Sequence, residues 1–249
     1  PFIRGIFNFV DSLVLGMKTL TYSASFFEDE EEEILTEDEA RKQEKKEKLI
    51  MNLTVVVSVL IAVGIFMVLP YYLSSIIEKH TSSHLVMTVL EGVIRVAIFL
   101  IYIVLISRTK DIKRTFMYHG AEHKTIYTYE AGLPLRVENV RPFSTLHPRC
   151  GTNFLMIVML ISMFIFTFLG WPSLLERIAS RVVLMPVIAG VSYEIIRFAG
   201  AHNDNKLVHM AIMPGLLLQK LTTRQPDDSQ IEVAIASLKA VLPPEEIIE

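Results

Sequence analysis

Four stretches of this chain, residues 51–73, 85–107, 154–170 and 178–198, are apolar over the roughly 17 to 25 residues a helix needs to cross a ~30 Å hydrocarbon layer. Such stretches cannot all be hidden in a small water-soluble core. With 249 residues, 51% of them hydrophobic, the chain is expected to be an all-α integral membrane protein with about four transmembrane helices, interfacial or re-entrant helices and a cytoplasmic loop. The third stretch is the shortest and ends at Gly170, Trp171 and Pro172, where a helix breaker and an interfacial aromatic mark a boundary. The fourth contains Pro186, tolerable in a membrane helix when neighbours satisfy the freed carbonyl.

Positive residues near span ends bias short flanks toward the cytoplasm. Arg41, Lys42, Lys45, Lys46 and Lys48 precede the first span, and only Lys79 lies in the first connection. The second connection carries eight basic residues between Arg108 and Arg149, and the third has Arg177 and Arg181. Both termini and the long second loop are therefore expected in the cytoplasm. The lone Cys150 excludes an intrachain disulfide and fits a reducing compartment. The chain opens at Pro1 without an initiator methionine; a trimmed N-terminus is expected, and no cleavable signal peptide is legible.

Seven segments follow from the patterning. Residues 1–27 are apolar but broken by Arg4, Asp11 and Lys18, as in an interfacial or membrane-packed helix, with a full span as the alternative. Residues 28–50 form a charged cytoplasmic linker or solvated helix, acidic from Glu28 to Glu33 and then basic. Neither charge block looks like a nucleic-acid surface, so no nucleic acid is expected as partner. Residues 51–107 hold the first two spans, 108–153 the cytoplasmic loop and 154–198 the last two spans. Residues 199–225 carry a Pro214-Gly215 break and read as re-entrant or interfacial. In 226–249, Asp227 and Asp228 suit a helix N-terminus, and Ile231, Ala234, Ile235, Leu238 and Leu242 give that helix one apolar face.

The loop carries the chemistry. His119 and His123 are four apart and share a helix face, so their imidazoles can grip one metal. With Glu122 the pattern is H-x-x-E-H, the inverted zinc-peptidase signature in which the carboxylate activates water. Two histidines on a helix also occur as plain hydrogen-bonding groups, so the ion needs further donors. Glu130 lies seven residues past His123, about 10.5 Å along a helix and too far for the same ion unless the chain bends. The strip from His147 to Asn153 offers an imidazole and the Cys150 thiol, and a thiolate favours Zn2+. Against this, Cys150 reads as a small buried residue at a helix start, and His147 as a hydrogen-bonded turn residue.

A second polar cluster, Glu194 and Arg197 followed by His202 and Asp204, ends the fourth span at the same membrane face. Ionisable groups there pair or face water, and a Glu194–Arg197 salt bridge is the simplest reading. Glu91 and Arg95, at i, i+4 spacing, are expected to hold helices together and carry no chemistry.

These residues resemble the YqhQ family of bacterial membrane proteins, a domain of unknown function described as a predicted metal-dependent enzyme. The likeness runs through Pro1-Phe2-Ile3-Arg4-Gly5, residues 118–124, Val137-Glu138-Asn139-Val140-Arg141, residues 147–152, Tyr193-Glu194 with Arg197, and residues 221–228. It implies a multi-pass protein of the bacterial plasma membrane but supplies no substrate. The resemblance implies a glycine-rich leader before the position of Pro1, which is expected to have been trimmed from this sequence.

Two functions follow as expectations. The first is a cytoplasm-facing metal site acting as a metal-dependent hydrolase, with Glu122 as general base and His119, His123 and Cys150 or His147 as ligands. The second is a noncatalytic scaffold or assembly factor that holds a membrane-protein partner, or a second copy of itself, through the loop and the terminal amphipathic helix. A transporter is a weaker third, since the spans lack paired broken helices in matching halves.

Overall fold

The structure, a computed structural model, describes residues 2–24, 26, 37–78, 83–169, 173–202 and 205–246. The acidic run Glu28 to Glu33, the Gly170-Trp171-Pro172 boundary, Lys79 and Asp204 lie outside them. Among the described residues every regular element is helical: α1 (Phe2–Ala24), α2 (Glu37–Val63), a π turn (Gly64–Val68), α3 (Leu69–Glu78), α4 (His84–Ile106), α5 (Lys110–Glu130), the single turn α6 (Val137–Val140), α7 (Gly151–Thr167), α8 (Leu174–Ala201), α9 (Lys206–Thr222) and α10 (Asp228–Val241), with a closing 3-10 turn (Pro244–Glu246). They form two compact units, residues 1–95 with 169–190 and residues 96–168 with 191–249; α4 and α8 contribute to both.

Among the described residues, three helical stretches are long and apolar enough to cross a membrane: Arg41–Ile76, Leu85–Ile106 and Ile178–Ala201, of 36, 22 and 24 residues. The expected count of four is corrected here. The remaining apolar helix, α7, has 17 residues, about 26 Å at ~1.5 Å per residue and at the lower limit for a ~30 Å layer. It begins at Gly151, three residues earlier than the apolar run, because Cys150 caps it.

In the first unit, the charged stretch from Glu37 runs without interruption into the apolar half of α2; Glu, Lys, Arg and Gln are good helix formers with i, i+4 ion pairs available. Pro70 lacks the N–H that an α-helix would aim at the Phe66 carbonyl, the ladder widens into the π turn just before it, and Arg95 Nε donates to Phe66 O at 3.1 Å. Glu91, buried, accepts from Arg95 Nη2 at 2.6 Å and also from Arg181 of α8. Arg181 therefore serves as a buried partner of Glu91 and not as a loop charge. A Cβ on Gly5 of α1 would stand 2.9 Å from Gly190 O, so α1 meets α8 backbone to backbone there.

In the second unit, the expected loop 108–153 is largely α5, a helix of 21 residues. The apolar face of α10 packs on it: Ile231 and Ile235 join Ala121, Leu135 and Val140 in one buried cluster, flanked by Ala234, Leu238 and Leu242. Asp227 caps α10 in a reciprocal capping box with Gln230, and Asp228 is held by Arg141, whose Nε donates at 2.8 Å. The expected break at Pro214-Gly215 is absent; α9 runs through both residues. Gly215 is there for close approach, since a Cβ would meet Asn153 Oδ1 of α7 at 2.4 Å. Ile157, Ala199 and Ile212 form the core that joins α7, α8 and α9.

Candidate metal centre

Helix periodicity brings His119 and His123 one turn apart on α5, with ring centroids 4.4 Å from each other. The segment between α6 and α7 then delivers Cys150 against them. One ligand atom from each of His119, His123 and Cys150 lies within 4.8 Å of the others. His119 Nε2 stands 3.2 Å from Cys150 Sγ. Two donors on one tetrahedral zinc, at ~2.05 and ~2.3 Å with a tetrahedral angle, would be about 3.6 Å apart, so this pair needs a shift of only a few tenths of an ångström to share an ion.

The far nitrogens fix the rings. His119 Nδ1 donates to Thr222 O at 2.9 Å and His123 Nδ1 donates to Thr145 O at 2.5 Å. A carbonyl can only accept, so both Nδ1 atoms carry the proton and Nε2 is the atom each ring can offer a metal. Gly120 makes the first contact feasible: α5 passes so close to the end of α9 that a Cβ there would stand 2.0 Å from Arg224 O, and Arg224 N donates to Phe116 O at 2.8 Å.

Cys150 sits half-buried at the N-cap of α7, where Thr152 N donates to its sulfur at 3.3 Å. Burial pushes the thiol up, but hydrogen bonds from His119, His123 and Thr152 outweigh it and bring the Cys150 pKa down to about 5. Burial pushes His119 down, and the bond to Cys150 with the Thr222 carbonyl lifts it above its usual range. The same contact thus favours the thiolate of Cys150 and the protonated form of His119 when no cation replaces the proton.

His147 is not part of the triad. Its buried ring lies 5.7 Å from that of His123, centroid to centroid, and its Nδ1 accepts from Arg149 N at 3.3 Å. Nε2 makes no hydrogen bond; the nearest carboxylate oxygen is Glu130 Oε2 at 3.5 Å. Burial holds this imidazole below its usual range despite Glu130. Glu130 also accepts from Arg149 Nη2 at 2.5 Å. It thus belongs to a second layer around His147, as the helical rise from His123 predicts.

Glu122 is exposed and is not one of the three clustered ligands. It lines, together with His119, a cavity of about 490 Å3 between α5 and α10. Of the second polar cluster, Glu194 is half-buried and Arg197 exposed on α8. His202 is exposed, with Nδ1 donating to Phe198 O at 3.0 Å.

Sequence reasoning missed the clamp that holds the Cys150 segment. Gln219, fully buried on α9, accepts from His147 N at 2.7 Å and donates to His147 O at 2.8 Å and to Asn153 Oδ1 at 2.9 Å. Asn153 in turn donates to Pro148 O at 2.6 Å. The available signal was an amide inside the apolar run Leu216-Leu217-Leu218-Gln219, since a buried amide demands partners.

Residues 1–244 match the family model described as a protein of unknown function, DUF1385. The chain is 34% identical over 244 residues to an uncharacterized protein, YqhQ, of Bacillus subtilis (strain 168), covering 97% of this chain and 77% of that protein. No solved structure matches. Matched along almost its whole length, the chain belongs to the DUF1385 family, whose function is unknown.

Proposed function

We propose that the chain is a multi-pass protein of the bacterial plasma membrane that uses His119, His123 and Cys150 to hold a zinc ion and hydrolyses a carbonyl substrate on the cytoplasmic side. One observation carries this reading: three ligand atoms from two separate segments converge within 4.8 Å, and both imidazoles are oriented by backbone carbonyls as metal-bound histidines are. Two nitrogens and a thiolate suit zinc, and three protein donors leave a fourth position open, the pattern of a catalytic site. The eight basic residues between Arg108 and Arg149 support an inward orientation of this face, and the three long apolar helices support membrane crossings, with α7 and α9 as a shorter pair beside them.

A zinc ion bound here supplies Lewis acidity toward a carbonyl oxygen and lowers the pKa of water. Glu122, one residue from His123 and facing the cavity, takes a proton from the attacking water. The hydroxyl oxygen joins the carbonyl carbon, the bond from that carbon to the leaving group breaks, and Glu122 returns the proton to the leaving group. Cys150 and His119 hold position, and the Gln219–Asn153 clamp keeps the Cys150 segment in register. Elemental analysis of the purified protein tests the site. About one equivalent of zinc, lost in His119→Ala, is expected; less than about a tenth of an equivalent, unchanged by that substitution, would end the proposal.

A second reading rests on the same atoms. Cys150 at a helix N-cap, His119 Nε2 at 3.2 Å and Thr222 O behind Nδ1 match a thiol nucleophile, its base and an orienting acceptor. There the sulfur would bond to the acyl carbon, the leaving group would take the His119 proton, and water would then cleave the thioester to release acid and thiol. Activity that survives exhaustive chelation but not alkylation of Cys150 selects this reading; activity restored by zinc selects the first. The scaffold role draws less support, because α10 spends its apolar face on α5.

A further inference from the structure

The cavity of about 490 Å3 between α5 and α10 lies within the size range of small-molecule sites. Its chemistry is graded along α5. Thr115, Tyr118, His119 and Glu122 line its part toward the start of α5, while Ile126 lies toward the other end. Seven residues separate His119 from Ile126, about 10.5 Å of helix rise. Along α10 the wall is Val233, Ala234 and Leu238, interrupted by Ser237. Thr125, also on the wall and buried, spends its hydroxyl on Ala121 O at 2.9 Å, so it adds no donor to the cavity. The two helices run in the same direction: Asp227, before α10, lies in the field of Arg114 near the start of α5, and Tyr129 at the end of α5 donates to Glu246 beyond α10.

We infer that this cavity is an acyl pocket, which selects carbonyl substrates bearing an unbranched aliphatic chain, with the scissile carbonyl at the His119–Glu122 end and the chain running toward Ile126 and Leu238. The inference rests on the hydrolase reading for the word substrate and on the cavity alone for the chain. A charged or strongly polar chain finds no buried counter-group toward the far end, whereas each methylene there leaves water. The rise of about 10.5 Å from His119 to Ile126 suits chains of medium length.

Ser237 is exposed, lines the pocket and lies outside the metal triad, which makes Ser237→Cys a reporter; Ser229→Cys, exposed on the first turn of α10 and not on the wall, is its control. With the full chain in detergent, modification of each introduced thiol by N-ethylmaleimide is followed by peptide mass spectrometry, which reads Cys150 separately. The neutral probes butanamide, hexanamide and octanamide are compared at equal free concentration. Protection at position 237 is expected to strengthen about fourfold per added methylene, with none at 229, in zinc-loaded and chelated protein alike. Equal protection at both positions, or a flat series at 237, overturns the acyl pocket. Turnover of p-nitrophenyl butyrate and octanoate by the zinc-loaded protein separates the two ideas. Turnover with flat protection overturns the pocket alone, whereas graded protection without turnover in Glu122-intact protein overturns the hydrolase reading alone.

Discussion

Gln219 and His147 exchange two hydrogen bonds across 72 residues of chain, His147 N to Gln219 Oε1 at 2.7 Å and Gln219 Nε2 to His147 O at 2.8 Å. A side-chain amide here does what a neighbouring strand does in a sheet, and it does so fully buried. Replacing it with an apolar residue leaves His147 N without its acceptor and removes donors from His147 O and Asn153. Each buried polar group so stranded costs about 1–3 kcal/mol. Gln219→Leu is expected to destabilise the protein by about 3 kcal/mol, read as a lowered midpoint of thermal unfolding in detergent, and to weaken zinc retention because Cys150 loses its support. An unchanged midpoint would show that the clamp is dispensable.

Glu122 and the histidines around it separate cleanly by substitution. Glu122→Gln is expected to keep its zinc, since the carboxylate is not among the clustered ligands, while hydrolysis falls by about 10²–10⁴-fold through loss of the base. His123→Ala is expected to lose both. Metal content and turnover measured on the same samples decide, and loss of zinc in Glu122→Gln would make that carboxylate a ligand.

The Cys150 thiol gives the pH dependence. Its pKa in the fold is about 5, against about 8.5 for an unperturbed cysteine. Because the thiolate is the reactive form, alkylation of chelated protein by iodoacetamide is expected to be slow at pH 4, to rise through pH 5 and to be flat from pH 7 upward. Removing the imidazole in His119→Ala takes away a hydrogen bond that lowers the thiol and moves the midpoint toward higher pH. Zinc is expected to protect the thiolate throughout. A midpoint near pH 8 in the unsubstituted chain would mean the three side chains do not meet in solution.

Gly120 carries a steric prediction. A methyl group there stands 2.0 Å from Arg224 O, a backbone atom that cannot rotate away, so α5 and the residues after α9 must separate. Gly120→Ala is expected to cost about 3 kcal/mol or more and to release His119 from Thr222 O, which a drop in both unfolding midpoint and zinc content would register. Gly132→Ala tests a different cause: that glycine has φ 67° with open space around it, so about 1 kcal/mol of backbone strain is expected with zinc retained.

Local pattern carried much of this architecture. The apolar runs that became α4 and α8, the amphipathic face of α10 and the shared face of His119 and His123 all follow from spacing, because period and length are local properties. The length of α7 did not, since its start depends on the sulfur of Cys150 accepting from Thr152 N. The continuity of α9 was hidden for a related reason. Pro214-Gly215 reads as a break, yet Gly215 exists to let α7 approach. The sequence offered His147 and Cys150 as alternatives for one ligand position, and only the fold separates them, turning His147 toward Glu130 and Cys150 toward His119. The amide of Gln219 stood out in its apolar run, but its partners His147 and Asn153 lie 72 and 66 residues away and only the fold brings them to it.

The carbonyl that fixes His119 comes from Thr222, and one wall of the cavity comes from residues 233–238 of a 249-residue chain. Synthesis delivers His119 ahead of Thr222 by 103 residues. Until those residues are made, the His119 imidazole stands without the acceptor and the wall that complete its surroundings. Completion of the centre therefore waits for residues 222–238, so that a polypeptide ending before them would present a loosely held His119 and no finished pocket.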